Sequence, residues 1–220
     1  MLTEILYLIA AFVITAILGK IIIPILKKLK VGQSERLDGP RSHLKKRGTP
    51  TMGGIMMIIT ILILSIIACI INRKLTIVIL PVAIVSVGFG LVGFIDDFKK
   101  VVLKNTDGLS PKLKLLGQLV VSVIFILFLL NYTNIGTDIK IPFTDFSLEL
   151  PKFVYIPLMI LVMLGTTNAV NLTDGVDGLA GSVSAIIIAA FSIIAFRAGI
   201  YGISIFGAIC SGACIRIFNL

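Results

Sequence analysis

Seven apolar stretches, each close to the length of a membrane-crossing helix, restrict what this chain can fold into. About 20 consecutive apolar residues are needed to cross the hydrocarbon layer as a helix, so such stretches predict transmembrane spans. Only 14% of the residues are charged and the mean hydropathy is +1.10, which excludes an ordinary soluble domain. We therefore predict an all-α polytopic membrane protein with a single domain, residues 1–220. The spans are expected at Ile5–Leu26, Ile55–Ile71, Ile77–Ile95, Leu115–Tyr132, Phe153–Val170, Leu179–Phe196 and Ile203–Phe218.

The basic residues between these spans predict the orientation of the chain. Thirteen lysines and arginines fall on one side, in residues 27–47 and 99–114, and five fall on the other. The positive-inside rule places the first side in the cytoplasm and the amino terminus outside. Because the net charge of +9 lies in loops beside apolar spans, it favours contact with anionic lipid or phosphate over nucleic acid. The outer loop Thr133–Lys152 alternates polar and apolar residues, which predicts a short hairpin.

A pair of adjacent acids, Asp96 and Asp97, ends the third span in the sequence GFIDDFKK. Adjacent carboxylates repel each other, and at the carboxyl end of a helix they also face the negative end of the helix dipole. A nearby cation would offset this cost. Magnesium, which prefers carboxylate and phosphate oxygens, is one candidate, and Lys99 and Lys100 are another. A solvated helix end without a ligand is the simpler alternative.

The segment Asn168–Gly181 is rich in glycine and polar side chains at the turn between the fifth and sixth spans. Glycines allow a ligand to approach the backbone closely, and polar groups beside apolar helices are typical of functional sites. A turn with helix caps is the alternative, in which Asp177 would cap the sixth span. That reading explains one acid but not all of the polar residues in the segment, which are Asn168, Asn171, Thr173, Asp174 and Asp177.

The first cytoplasmic loop and the cysteines indicate a functional role less clearly, because each has a simple structural explanation. Lysines near the Gly-Thr-Pro turn in Gly39–Gly54 suit phosphate, although a positive-inside loop alone would explain them. Cys210 and Cys214 share one helix face, and we interpret them as small residues of a helix interface.

Four segments together resemble the polyprenyl-phosphate N-acetylhexosamine 1-phosphate transferases, and the resemblance extends from the first span to about Ala213. They stand in the order that this family has them: HLKKRGTPTMGG, GFIDDFKK, LSPKLKLLGQ and NAVNLTDGVDGLAG. The stretch GTPTMGG is the most specific, because relatives with N-acetylglucosamine donors differ there. The resemblance implies a fold of about ten spans in a bacterial cell membrane, with the active face cytoplasmic.

The implied reaction transfers phospho-N-acetylmuramoyl-pentapeptide from its UDP-linked donor to undecaprenyl phosphate, with Mg²⁺ as cofactor and UMP as product. For the oligomeric state, a homodimer is one of the possibilities left open. Asp96 and Asp97 would act at the reaction centre as base or as organisers of metal or phosphate. By this likeness the catalytic residues are Asp96, Asp97 and Lys112. The substrate-binding residues are Lys46, Thr51, Asn171, Asp174 and Asp177.

The resemblance also raises an expectation about the carboxyl-terminal part of the family fold. Family members have a Met-Gly-Asp segment after the seventh span, whose Asp is the main metal ligand, and then a His-rich loop. The sequence stops at Leu220 before either, so we expect a truncated member whose own activity is doubtful. Asp96 and Asp97 are the remaining metal-ligand candidates. The alternatives are an inactive fragment, a related N-acetylglucosamine 1-phosphate transferase and, least favoured, a transporter, because most charges lie at span ends.

Overall fold

The computed structural model describes residues 1–28, 52–101, 108–133, 135–141, 144, 146–174 and 178–217. Within them, seven helices and one two-stranded hairpin follow one another along the chain. The helices are α1 (Leu2–Lys28), α2 (Gly54–Ile71), α3 (Thr76–Val101), α4 (Pro111–Tyr132), α5 (Lys152–Thr173), α6 (Leu179–Arg197) and α7 (Tyr201–Ile217). The strands are β1 (Asp138–Lys140) and β2 (Ser147–Glu149).

The helices have the length and composition of membrane spans. Six of them, α1 to α6, are long and apolar enough to cross a bilayer, and α7 is a shorter apolar helix. A bilayer offers no water to unpaired backbone groups, so helices that satisfy their own N–H and C=O groups are the natural solution. The prediction of an all-α polytopic membrane protein is confirmed, and each predicted span coincides with one helix.

Helix α7 lies at the centre of the bundle, packed against α1, α2, α3 and α6. Its small residues let neighbouring backbones approach: an added Cβ on Gly212 would overlap the Leu8 carbonyl oxygen of α1. The hydroxyl of Ser211 donates a 2.9 Å hydrogen bond to the Ala185 carbonyl of α6. Cys210, also buried there, is a free thiol. Close packing of small residues and hydrogen bonds replace the hydrophobic effect, which does not drive helices together in lipid.

The hairpin joins α4 to α5 at one end of the bundle. Strands β1 and β2 pair antiparallel, with Ile139 opposite Leu148, so the predicted hairpin is confirmed. Helix α3 differs from its predicted span, because it continues through Val101 rather than ending near Ile95. The acidic pair therefore belongs to the last turns of a helix, at the end of the bundle opposite to the hairpin.

Candidate functional site

A group of polar side chains joins the end of α3 to the start of α4 and the end of α5. We call it the polar cluster and define it by these residues: Asp96, Asp97, Lys100, Lys114 and Asn171. The segments that contain them are separated in sequence, but antiparallel helices connected in the order α3, α4, α5 bring these three helix ends to one side of the bundle. The family resemblance implied that Asp96 and Asp97 act on the substrate that Asn171 binds, and Lys114 links Asp96 to Asn171 in the structure.

Asp96 is the buried centre of the polar cluster, with only 5% of its surface exposed. Its Oδ2 accepts hydrogen bonds from the Lys100 Nζ at 2.8 Å and the Lys114 Nζ at 3.4 Å. Its Oδ1 accepts a hydrogen bond from the Leu109 backbone N–H at 2.8 Å. A buried carboxylate is stable only when such donors replace water. Both oxygens of Asp96 are therefore occupied by the protein itself.

The turn before α4 is shaped to approach Asp96. Gly108 has a φ of +65°, a conformation that glycine adopts readily, and an added Cβ would lie 2.6 Å from the Asp96 Oδ1. The next residue, Leu109, donates its N–H to that same oxygen. Ser110 then caps α4 by accepting the Leu113 N–H, and Pro111 begins the helix. The local sequence thus places the start of α4 directly on the α3 carboxylate.

Asp97 has a different environment from its neighbour. Its side chain is 40% exposed, and its Oδ1 lies 3.9 Å from the Lys100 Nζ. The carboxylate of Asp174, at the end of α5, is close enough to interact with it electrostatically. Of the two adjacent acids, Asp97 is therefore the one whose oxygens remain accessible to a ligand.

Lys114 connects the two acidic segments that the sequence singled out. Its Nζ donates to the Asn171 Oδ1 at 3.3 Å as well as to the Asp96 Oδ2 at 3.4 Å. One ammonium group therefore bridges α3 and α5 from its place on α4. The family resemblance implies a role for Lys112 and gives none to Lys114, although both lie in the stretch LSPKLKLLGQ.

A second polar contact lies one turn deeper between α4 and α5. Gln118, which is 2% exposed, accepts a 2.8 Å hydrogen bond at its Oε1 from the Asn168 Nδ2. Gln118 is four residues after Lys114, and Asn168 is three before Asn171, so each pair occupies one helix face. A Gln in an apolar helix was the signal that could have found this contact.

The remaining predicted site residues have varied positions. Lys112 has an exposed side chain and forms no ion pair with the described part of the chain. Its catalytic role stays a prediction. Lys46, Thr51 and Asp177 lie outside the described residues.

Magnesium does not fit the described residues by themselves. Both oxygens of Asp96 are already bonded, and two lysine ammonium groups stand beside the acidic pair. No group of three or more potential metal ligands occurs in the described ranges. Asp97 and Asp174 are close enough to interact electrostatically, and a Mg²⁺ ion bound through two carboxylates takes its remaining oxygens from substrate phosphates and water.

These observations define a multi-pass membrane protein with a buried acid–lysine cluster at one end of its helices. A model of glycosyl transferase family 4 matches residues 79–220, a range that includes the whole polar cluster, and the chain belongs to this family. The resemblance inferred from the sequence motifs is confirmed.

Curated relatives agree with this assignment. The chain is 47% identical over 214 residues to the phospho-N-acetylmuramoyl-pentapeptide-transferase of Halalkalibacterium halodurans, covering 96% of this chain and 65% of the relative. It is 42% identical over 210 residues to the protein of the same name from Bacillus subtilis, covering 94% and 64%. The corresponding protein of Staphylococcus carnosus is 48% identical over 193 residues, covering 87% and 60%. The chain thus spans somewhat less than two thirds of the length of these relatives.

Proposed function

We propose that this chain contributes the polar cluster to a phospho-N-acetylmuramoyl-pentapeptide transferase of the bacterial inner membrane, with the cluster on the cytoplasmic face. The donor would be the UDP-linked muramoyl-pentapeptide and the acceptor undecaprenyl phosphate. The observation that supports this most directly is the Lys114 bridge, because it joins the acidic pair to the Asn171 segment in one place. A donor that contains both a nucleotide and the transferred phosphate needs its two recognition elements to be adjacent.

The proposed reaction is a displacement at phosphorus. A phosphate oxygen of the lipid attacks the phosphorus that is attached to the sugar. The bond from that phosphorus to the bridging oxygen breaks, and UMP leaves with the bridging oxygen. Negative charge accumulates on the phosphoryl oxygens during this step, so fixed cationic groups accelerate it by electrostatic stabilisation. Lys100 and Lys114 are cations already held at fixed positions by Asp96.

The two acids of the pair have separate roles in this proposal. Asp96 is a positioning residue, because its oxygens hold the two lysines and the Leu109 N–H. Asp97 is the carboxylate that contacts substrate, because it is next to Asp96, it is partly exposed, and hydrogen-bond donors do not occupy all of its oxygen lone pairs. Asn171, Asp174 and Asp177 are proposed to bind the nucleoside, and Lys46 and Thr51 to lie near the nucleotide.

Mg²⁺ is part of the proposal as the source of additional charge neutralisation at the phosphates. The described residues offer Asp97 and Asp174 toward it but do not complete a site. The proposed contact of Asp97 with substrate is therefore argued from its exposed side chain and from its position beside Lys100 and Asp174.

The experiment is a UMP-release assay in membranes. A chimeric protein, in which this chain replaces the aligned 210 residues of the Bacillus subtilis relative, is supplied with donor, undecaprenyl phosphate and magnesium. We expect turnover that falls about 100-fold or more in Asp97→Asn. Glu149→Gln, an exposed change in the hairpin, is the matched control.

Three results would contradict the proposal. One is a folded chimera without UMP release, and another is full turnover by Asp97→Asn. The third is release of UMP with a UDP-N-acetylglucosamine donor in place of the muramoyl donor, which would favour the related N-acetylglucosamine 1-phosphate transferases.

A further inference from the structure

A half-open groove lies between α2 and α3, at the end of the bundle opposite to the polar cluster. Its volume is about 640 Å³, within the range of about 300–1,000 Å³ found for ligand sites. It is lined by α2 between Leu62 and Ile70, by α3 between Thr76 and Ile84, and by Arg73 in the turn between them. We call it the α2–α3 groove.

The groove exists because small side chains face each other across the two helices. Ser65 and Cys69, four residues apart on one face of α2, and Ala83 of α3 leave the floor unfilled. Ser65 and Ala83 are 3% and 2% exposed, whereas the rims are long aliphatic residues that project outward, such as Ile66 and Ile84. The space is therefore elongated and apolar, and it runs parallel to the helices.

One cation marks the end of the groove. Arg73 lines it, and the lining contains no acidic residue. Within the described ranges, Arg73 has no ion pair with a carboxylate. Thr76 and Ile84 are eight residues apart, so the apolar part extends about 12 Å below the level of Arg73 at 1.5 Å per residue. An apolar slot with a cation at its mouth complements a molecule that has an anionic head and a hydrocarbon tail.

We propose that the α2–α3 groove binds one anionic phospholipid, with its phosphate at Arg73 and one acyl chain along the floor. Lipid tails are as apolar as the helices, so burial of the chain gives little preference among lipids. The preference comes from the head group, because a basic residue near the membrane surface favours an anionic lipid. This proposal is independent of the polar cluster and of its proposed reaction.

The absence of tryptophan in the sequence allows a direct test. Ile84→Trp, at a rim position that is 62% exposed, introduces a single indole beside the groove. Phe191→Trp on α6, 64% exposed, is the matched control for lipid that covers the rest of the bundle. The protein is reconstituted in vesicles of phosphatidylglycerol and phosphatidylcholine, and each lipid in turn has brominated chains that quench indole fluorescence.

We expect about a five-fold preference for phosphatidylglycerol at the Ile84 position, equivalent to about 1 kcal/mol, and none at the Phe191 position. Adding Arg73→Gln should remove the preference, and Arg73→Lys should retain it. Lys74→Gln, which changes the neighbouring exposed cation outside the groove, should leave it unchanged.

Two outcomes would overturn the proposal. Equal quenching by both lipids at the Ile84 position would show that the groove does not select an anionic head group. No quenching there by either lipid would show that protein covers the groove, either a second copy of the chain or another segment. Circular dichroism of each variant establishes that the comparison is made between folded proteins.

Discussion

The polar cluster and the region around α7 use different means to hold helices together. At α7, the described contacts are backbone against small residues, as where Gly212 meets the Leu8 carbonyl, together with a hydroxyl hydrogen bond from Ser211. At the polar cluster, three helix ends are joined through one carboxylate, Asp96, and two ammonium groups. The first arrangement depends on shape along a whole helix, and the second depends on a few charged atoms.

This difference has a consequence for function. A close-packed interface tolerates almost no added volume, because the neighbouring backbone cannot move away. A charged junction at a helix end keeps polar groups within reach of ligands, and Asp97 is 40% exposed beside a buried Asp96. We interpret α7 as the rigid scaffold and the polar cluster as the functional site. The following experiments test that division, beginning with the largest expected effect.

Gly212→Leu should be the most damaging single change. The new side chain would overlap the Leu8 carbonyl oxygen and Ala11 on α1, and overpacking of this kind costs about 3 kcal/mol. Unfolding in mixed detergent, followed by circular dichroism, measures the loss. Gly165→Leu on α5 is the control, because an added Cβ there meets nothing within 4 Å. Equal stability of the two variants would show that α7 is not closely packed on α1.

Asp96→Ala and Asp97→Ala should distinguish a residue that mainly stabilises the fold from an adjacent residue that mainly serves turnover. Asp96→Ala removes the acceptor for Leu109 and two lysines, so we expect about 2 kcal/mol of destabilisation. Asp97→Ala removes only a partly exposed ion pair at 3.9 Å, for which about 0.5 kcal/mol is expected. UMP release by the chimera should fall in both. The proposed roles would be reversed if Asp97→Ala were the less stable protein.

Lys114→Met should destabilise the contact between α4 and the ends of α3 and α5 by about 1 kcal/mol. Lys112→Met should change stability by less than about 0.5 kcal/mol, because its side chain is exposed. The same pair measured for UMP release decides which lysine serves the substrate phosphates. A stability loss in Lys112→Met that matches Lys114→Met would contradict the geometry of the cluster.

The Gln118 to Asn168 hydrogen bond should contribute least. Interhelical hydrogen bonds in membrane proteins average about 0.6 kcal/mol, because separated helices find other partners. A double-mutant cycle of Gln118→Leu and Asn168→Leu measures the coupling directly. A coupling above about 2 kcal/mol would mean that hydrogen bonds deeper in the α4–α5 interface, rather than the charged contacts at its end, hold these helices together.

The sequence allowed the spans to be predicted because run length is decisive in a bilayer, where each span must satisfy its own backbone. It also indicated the hairpin and the three acidic or basic segments. The motif LSPKLKLLGQ by itself did not distinguish Lys114 from Lys112. The polar stripe of Lys114, Gln118 and Ser122, at intervals of four residues along α4, was the signal that could have chosen Lys114.

What the sequence by itself determined is the class of fold, the places where charge accumulates and the family. Only the tertiary structure decided that Asp96 is buried and saturated while Asp97 is accessible, because adjacent residues on a helix point about 100° apart and only packing shows what each one meets. It also decided that the short helix α7 is central. Helix burial in lipid depends on close backbone approach between partners, and those partners are far apart along the chain.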